Sequence, residues 1–327
     1  MKILVIGGTR FVGKHFVAAA LAAGHEVALF HRGRTGSDLF PEATHLTGDR
    51  NSDLEALTEG EWDATVDVCA YVPSQVRSLA EVLEERGGRY LFVSSVSAYA
   101  PPEGPGIDED APLAQLDDPS TEDVTDQTYG GLKALCEAAA LDAFGPHTAI
   151  VRPSYVVGPD DATWRFSWWV DRIGRGGMVP VPEPRDTPMQ WVDARDLGAF
   201  MLRLLEEGVA GAFHAANPEP VFTWEQTIDG IAAAVAPEGT ELVWVPMEAA
   251  QECGFPEGTI PLWAADDPEI WGLGVDPSRA FAAGLTPRPL ADTVRDTLAW
   301  TREVGVPDDA GLSADQEQAL LTATPRP

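Results

Sequence analysis

Short apolar runs alternate with stretches of helical spacing through the first half of the chain. Residues 2–7, KILVIG, form an apolar run closed by glycine, the pattern of a strand buried on both faces. Residues 11–23 then carry apolar positions at helical spacing and stop at Gly24, and residues 25–30, HEVALF, read as a second strand. Further strands are predicted over 64–70 (ATVDVCA), 89–95 (RYLFVSS) and 147–152, with helices over 74–86 and 128–144. This alternation predicts an α/β protein built on a doubly wound parallel sheet, the Rossmann arrangement. Beyond about residue 155 the pattern loosens. Prolines and tryptophans thicken, and helices over about 163–174, 194–206, 223–235 and 289–303 alternate with short strands. Ser313-Ala314-Asp315-Gln316 has the form of a capping box ahead of a last helix. The expected organisation is a dinucleotide-binding domain over 1–155. A smaller α/β substrate lobe over 156–327 interleaves with it and returns some segments to its sheet.

Residues 7–13, GGTRFVG, lie where the first strand meets the first helix. Glycines there permit a tight turn and close approach of a pyrophosphate, and the helix N-terminus supplies backbone N–H groups and a positive dipole. Gly7, Thr9, Arg10, Phe11, Val12 and Gly13 are therefore candidate cofactor contacts. Arg10 stands where a second small residue is usual. The second strand runs out into Phe30-His31-Arg32-Gly33-Arg34, with none of the carboxylates that bind an adenosine ribose in NAD enzymes. Arginine pairs with a 2′-phosphate that a carboxylate would repel. Arg10, Arg32 and Arg34 thus point to NADP(H), with NAD(H) as the alternative, or else to solvated surface, and His31 reads as a neighbour of the ribose or adenine. Asp49 and Arg50, after the third strand, are placed for the adenine edge. Cys69 and Ala70, at the end of the fourth, are placed to pass beneath the pyrophosphate.

Tyr129-Gly-Gly-Leu-Lys133 puts a phenol and an ammonium at i and i+4, on one helix face. A cation beside a phenol favours phenolate, and such a tyrosine exchanges a proton with a carbinol or carbonyl oxygen while nicotinamide exchanges hydride. Ser95, at the end of strand 89–95, is placed to hydrogen-bond the same oxygen.

With these motifs in order, the chain resembles an extended, atypical short-chain dehydrogenase/reductase of the NAD(P)-dependent epimerase/dehydratase superfamily. The resemblance rests on GGTRFVG, SSVSAY (94–99), YGGLK (129–133), RPSYVVGP (152–159), QWVDARDL (190–197) and the segment 276–300. It implies a catalytic set of Ser95, Tyr129 and Lys133, with Pro153 and Ser154 flanking the nicotinamide. The GGTR form is similar to a branch that includes chloroplast stem-loop RNA-binding proteins. Val96-Ser97 stands where the family's 4,6-dehydratases carry an Asp-Glu pair, which argues against that reaction. Met189 occupies the position at which nucleotide-sugar epimerases commonly hold a diphosphate with arginine, although Arg185 is close. Dimerisation through the helix bearing the YxxxK motif is a further implication of the resemblance, giving a homodimer.

Composition narrows the remaining classes. The 327 residues are 44% apolar and carry a net charge of −30, from 22 basic and 52 acidic side chains. Such a surface repels nucleic acid and anionic lipid, so neither is an expected partner; a small-molecule substrate is. Residues 103–126 hold nine acidic side chains and no basic one, the composition of a solvated loop. Lysine occurs only at Lys2, Lys14 and Lys133. Three separated cysteines and a first strand starting at residue 2 suit a cytoplasmic chain without a signal peptide. No apolar run reaches membrane-span length, and the six histidines lack ligand spacing, so no metal is expected. Trp164, Trp168, Trp169, Trp191 and Trp263 read equally as pocket lining or as packing, and Arg165 and Arg172 as cleft or surface groups. The resulting expectation is an NADP(H)-dependent oxidoreductase acting on a carbonyl or secondary alcohol. The alternatives are an epimerase that retains its cofactor and a non-enzymatic nucleotide-sensing or RNA-binding protein.

Overall fold

The computed structural model describes residues 1–101, 104, 106–217, 221–256, 258–263 and 274–324. In chain order the elements begin β1 (Lys2–Ile6), α1 (Phe11–Ala22), β2 (Glu26–His31), β3 (Thr44–Thr47), β4 (Ala64–Asp67), α2 (Pro73–Leu83) and β5 (Arg89–Val93). They continue α3 (Asp126–Phe144), β6 (Ala149–Pro153), β7 (Tyr155–Val157), α4 (Arg165–Arg175), β8 (Met178–Pro182), β9 (Pro188–Met189) and β10 (Trp191–Asp193). The remainder are α5 (Ala194–Glu207), β11 (Gly211–Ala215), β12 (Phe222–Thr223), α6 (Trp224–Val235), β13 (Glu241–Val245), α7 (Met247–Glu252), α8 (Ser278–Ala282), α9 (Leu290–Val304) and α10 (Ala314–Ala323).

They divide into two compact units. The first comprises Met1–Val156, Ala194–Pro218 and Val275–Pro287. Its sheet has seven strands in the order β11-β6-β5-β4-β1-β2-β3, every neighbour parallel. Strand order reverses at β1. Right-handed crossovers to β2 on one side and from β4 to β6 on the other therefore put α1 and the α2–α3 pair on opposite faces. Ile3, Leu4, Val5 and Ile6 are fully buried between these layers, as a strand covered on both sides requires. Helix α5 crosses α1 where Gly198 has no side chain; a Cβ there would lie 2.9 Å from the Phe16 nitrogen.

Two expectations change here. Strand β4 stops at Asp67 rather than running to residue 70, because Asp67 turns its carboxylate into a buried ion pair and the chain leaves the ladder. Among the described residues of 103–126, the acidic segment is not simply a solvated loop. Ala100 and Ala114 donate to Pro112 and Ala98 carbonyls, Ile107 bridges to Val275, and Glu109 is buried. A buried arginine and a buried histidine, described below, supply the reason. Glu103 and Pro105 lie outside the described residues.

The second unit comprises Val157–Asp193, Glu219–Gly274 and Arg288–Pro327. Strands β8 and β13 pair in parallel, β9 and β12 antiparallel, and helices α4, α6 and α9 pack on one another. Ser313 caps α10, accepting from the Gln316 N–H while Gln316 accepts from the Ser313 N–H. Among the described residues no helix is long and apolar enough to cross a membrane.

Candidate dinucleotide and catalytic site

The glycine loop of the first unit is built by close approach. Gly7 and Gly8 have φ of +103° and +89°, which only glycine adopts without strain. A Cβ on Gly7 would sit 2.9 Å from Val68 Cγ2, and one on Gly13 would sit 2.8 Å from the Gly8 Cα. Gly8 is a loop residue that the sequence reading passed over; a Cβ there would meet Leu29 at 2.9 Å. Helix α1 opens at Phe11, with Arg10 at the N-cap making no side-chain cap and no acidic residue in the first turn. The first N–H groups of α1 are thus left without a side-chain acceptor, while Thr9 and Val12 are only partly covered. This chain fits the phosphates of a dinucleotide there.

Loop 32–36 abuts this loop: a Cβ on Gly36 would lie 3.2 Å from the Thr9 carbonyl oxygen. Arg10, Arg32 and Arg34 are all exposed, and none makes an ion pair with a carboxylate among the described residues. In a chain with 52 acidic side chains, three unpaired guanidiniums beside one loop are a local concentration of positive charge. His31 supports them from behind. Its Nδ1 accepts from the Gly33 N–H at 3.0 Å, so its Nε2 donates to His45 Nδ1 at 2.8 Å, and His45 Nε2 donates to the Phe40 carbonyl at 3.2 Å. Burial and the neighbouring His45 hold His31 below the ordinary histidine pKa, and the hydrogen-bond chain needs both rings neutral. His31 is therefore engaged with protein groups on both ring nitrogens.

Arg50 departs from its expected place. Its guanidinium faces inward to Asp67, at 2.7 and 2.9 Å, and also donates to the Gln75 carbonyl and to Cys69 Sγ. Burial pushes the Asp67 carboxyl up, but the Arg50 charge and hydrogen bonds outweigh it and hold Asp67 below the usual range. Tyr90 donates its hydroxyl to the same carboxylate at 3.0 Å. A guanidinium so committed is a strut under β4, not a free adenine contact. Asp49 remains at the surface, accepting from the Asn51 N–H. Cys69 lies against Gly7, a Cβ on which would be 3.4 Å from Sγ, and burial raises the thiol pKa.

The catalytic candidates gather at the C-terminal ends of β4 and β5. Thr125 caps α3, and the helix carries Tyr129 and Lys133 one turn apart. The two glycines between them are positions of contact. A Cβ on Gly130 would fall 2.1 Å from the Ser97 carbonyl oxygen, and one on Gly131 would fall 2.5 Å from Leu116. Helix α3 is thereby pressed onto the turn that follows β5, which carries Ser95. Ser95 Oγ accepts from the Ser97 N–H and donates to Ser97 Oγ, both at 3.1 Å. Lys133 is buried, and its Nζ donates to the carbonyls of Val93 at 2.6 Å and Ala70 at 3.0 Å. An ammonium has three donors, so one N–H remains beyond these two. Burial pushes the Lys133 pKa down to about 8. Pro153 ends β6, and Ser154 is tied to β11 by its N–H, which donates to the Ala215 carbonyl at 3.1 Å.

Behind this set lies a buried polar network that periodicity did not disclose. Arg152 grips Glu137 of α3 at 2.9 and 2.6 Å and donates to the Tyr99 hydroxyl and the Glu109 carbonyl. His214 Nδ1 donates to the Asp276 carbonyl, so its Nε2 accepts from Tyr99. Glu109 accepts from the His214 N–H at 3.0 Å and pairs with Arg279 at 3.3 Å. The cue was Arg152 itself: an arginine inside an otherwise apolar strand requires partners. These partners pull Glu109 out of solvent.

In the second unit the tryptophans pack. Trp168, Trp169, Trp191 and Trp224 are buried, Trp169 lies edge-on to Trp168 and Trp224, and Trp164 stacks on Trp300 at 4.8 Å. Arg172 is buried on Glu317 at 2.6 Å and on the carbonyls of Gly176 and Met178; Arg165 is exposed. Arg185 pairs with Glu183 and Glu225. Among the described residues no three His, Cys, Asp or Glu side chains are grouped to hold a metal.

Residues 74–216 match the model of the NAD dependent epimerase/dehydratase family. The chain is 27% identical over 257 residues to the chloroplast stem-loop binding protein of 41 kDa b of Arabidopsis thaliana, a match covering 73% of this chain and 63% of that protein. This chain thus spans less than two thirds of that relative's length. It is 24% identical to a 3-diazoavenalumate denitrifying reductase of a Streptomyces species, covering 92% of this chain and 95% of that one. Among solved structures, it is similar to UDP-glucose 4-epimerase with UDP-glucose from Thermotoga maritima, with a TM-score of 0.68, 17% identity and coverage of 93% and 99%. A human epimerase family protein with NADPH gives a TM-score of 0.64, 20% identity and coverage of 91% and 99%. These structures share the fold.

Proposed function

We propose that this chain, whose residues 74–216 match the model of the NAD dependent epimerase/dehydratase family, is an NADP(H)-dependent oxidoreductase of the short-chain dehydrogenase/reductase type for a carbonyl or secondary-alcohol substrate. One observation carries the reading: Gly130 seats helix α3 on the Ser97 carbonyl, so that Tyr129, Lys133 and the Ser95 turn are held together. Gly7, Gly8 and Gly13 make room for a pyrophosphate, and the open start of α1 attracts it. Arg10, Arg32 and Arg34 would take the 2′-phosphate, a reading supported by their lack of carboxylate partners and by the NADPH in the human neighbour. When bound, the nicotinamide supplies or accepts hydride at C4.

The chain's own groups handle the proton. Ser95 Oγ, which exchanges its local bond to Ser97 for one to substrate, orients the reacting oxygen. Tyr129 gives its phenolic proton to that oxygen on reduction and takes it back on oxidation. The Lys133 ammonium lowers the cost of the phenolate, and its third N–H would donate to the cofactor's ribose. Tyr129→Phe tests this: cofactor binding stays within a few-fold and turnover drops by about 10²–10⁴. Turnover near wild type would end the proposal.

The likeness to epimerase structures favours a second reading, in which the same residues oxidise and re-reduce one substrate on a retained cofactor. Nicotinamide that copurifies with the protein, with conversion and no net change in reduced-cofactor absorbance, would select it. RNA binding, suggested by the name of the Arabidopsis relative, meets a net charge of −30.

A further inference from the structure

Lys133 occupies an aromatic slot as well as a polar seat. Its ammonium lies 4.3 Å from the centroid of the Phe92 ring and 5.6 Å from that of Tyr71. Phe92 is fully buried in the sheet, whereas Tyr71 is 45% exposed, so Tyr71 forms the solvent side of the slot. The Tyr71 ring is also 6.5 Å from the ring of Tyr129, tilted by 45°. Its backbone is fixed: Gln75 Oε1 accepts from the N–H groups of Tyr71 at 2.8 Å and Val72 at 3.4 Å, and Gln75 Nε2 donates to Asn51 at 2.8 Å. The residue before Tyr71 supplies one of the two carbonyls that hold the ammonium. One dipeptide, Ala70-Tyr71, thus contributes both an acceptor and a cover.

We propose that Tyr71 is a positioning residue for the catalytic ammonium: its ring closes the Lys133 slot against water and keeps the side chain in its two-carbonyl seat beneath Tyr129. This deepens the function proposed above and rests on it for its catalytic meaning. A cation faced by two rings gains quadrupole attraction but loses hydration. The ring face does the work, and the hydroxyl is dispensable. The titratable groups facing Lys133 are Tyr129, Cys136 and Glu137 of its own helix, Asp67 at the end of β4, Cys69 just beyond it, and Tyr71 itself. Strand β5 presents the Phe92 ring and the Val93 carbonyl. Asp67 is already paired with Arg50, and Glu137 with Arg152. Neither carboxylate therefore gives Lys133 a dedicated counter-ion, and water exclusion decides its proton affinity.

The chain's three lysines make this measurable without substrate. Protein labelled with ¹³C at lysine Cε shows three resonances, assigned with Lys2→Arg and Lys14→Arg, and each is followed against pH. The Lys133 resonance is expected to titrate near 8 in wild type. In Tyr71→Phe it stays within about 0.3 pH units, and in Tyr71→Ala it moves up by about 1 or more as water reaches the ammonium. Circular dichroism checks that each variant is folded; Tyr71→Leu serves if the alanine variant does not fold. An unmoved Lys133 midpoint in the alanine and leucine variants overturns the proposal, as does an equal shift in Tyr71→Phe. The alkaline limb of the NADP(H) turnover profile should follow the same shift. A resonance that shifts in a protein without NADP(H) turnover at any pH would uphold the cover and defeat the oxidoreductase reading instead.

Discussion

Gly130 and Ser97 touch through their backbones: a single added carbon on the helix residue would lie 2.1 Å from the carbonyl oxygen of the turn residue. The contact ties α3 to the segment that carries Ser95. Gly130→Ala must push the helix and the turn apart, since both partners in the contact are main chain. The start of α3 is half covered and has room to move outward, so the expected result is a folded protein. Its cofactor KM is nearly unchanged and its kcat is lowered by about 100-fold, the effect of misplacing a reacting group by about 1 Å. Steady-state kinetics with a circular-dichroism check of folding would measure it. A kcat equal to wild type would mean that the contact does not position the site.

Cofactor choice should lie in the unpaired arginines. Replacing Arg32 by alanine removes a group that makes no internal ion pair, so stability should change little. The loss should fall on NADP(H) alone. A charge-assisted bond to phosphate is worth about 1.5–3 kcal/mol, so KM for NADPH rises by about 10- to 100-fold while KM for NADH and both kcat values stay close to wild type. Arg10→Ala should act in the same direction. Parallel rises in KM for the two cofactors would place these arginines elsewhere than on the 2′-phosphate.

Burial of Lys133 has a signature in stability against pH. Its folded-state pKa, pushed down to about 8, lies below the ordinary value of 10.5. Between those values the unfolded chain holds a proton that the folded chain has released, so stability rises with pH across that window. Below about 8 the cost of the buried charge is fully present. Compared with Lys133→Met, which binds no proton there, wild type should gain up to about 3 kcal/mol on going from about pH 7 to about pH 11. Denaturant unfolding of both proteins at the two pH values tests the sign and the size.

The parallel sheet was readable because strands buried on both faces leave uninterrupted apolar runs, and KILVIG and HEVALF are such runs. The glycine loop and the Tyr129–Lys133 spacing were readable because the backbone conformation and the helical period that they need are local. Arg50 was not, because an arginine after a strand looks the same whether it faces a ligand or an aspartate 17 residues on. Glu109 sits in a run of acids whose composition says solvent, yet its partners, His214 and Arg279, lie more than 100 residues away. Tyr71 carried no motif at all. Its place over Lys133 comes from the packing of α3 on α2 and β5, and helical or strand periodicity says nothing about that.

Strand β11 and helix α5 come from a stretch of chain far beyond residue 156, yet they complete the sheet of the first unit. β11 covers the open side of β6, its Ala215 carbonyl takes the Ser154 N–H, and its His214 takes the Tyr99 hydroxyl. A fragment cut at Val156 would keep every motif in the first half of the sequence but would expose a bare β6 margin, prone to recruit strands from other molecules. No single scission frees a self-sufficient nucleotide-binding half, and recombination or domain grafting in this protein has to carry the two returning segments along with the amino-terminal half.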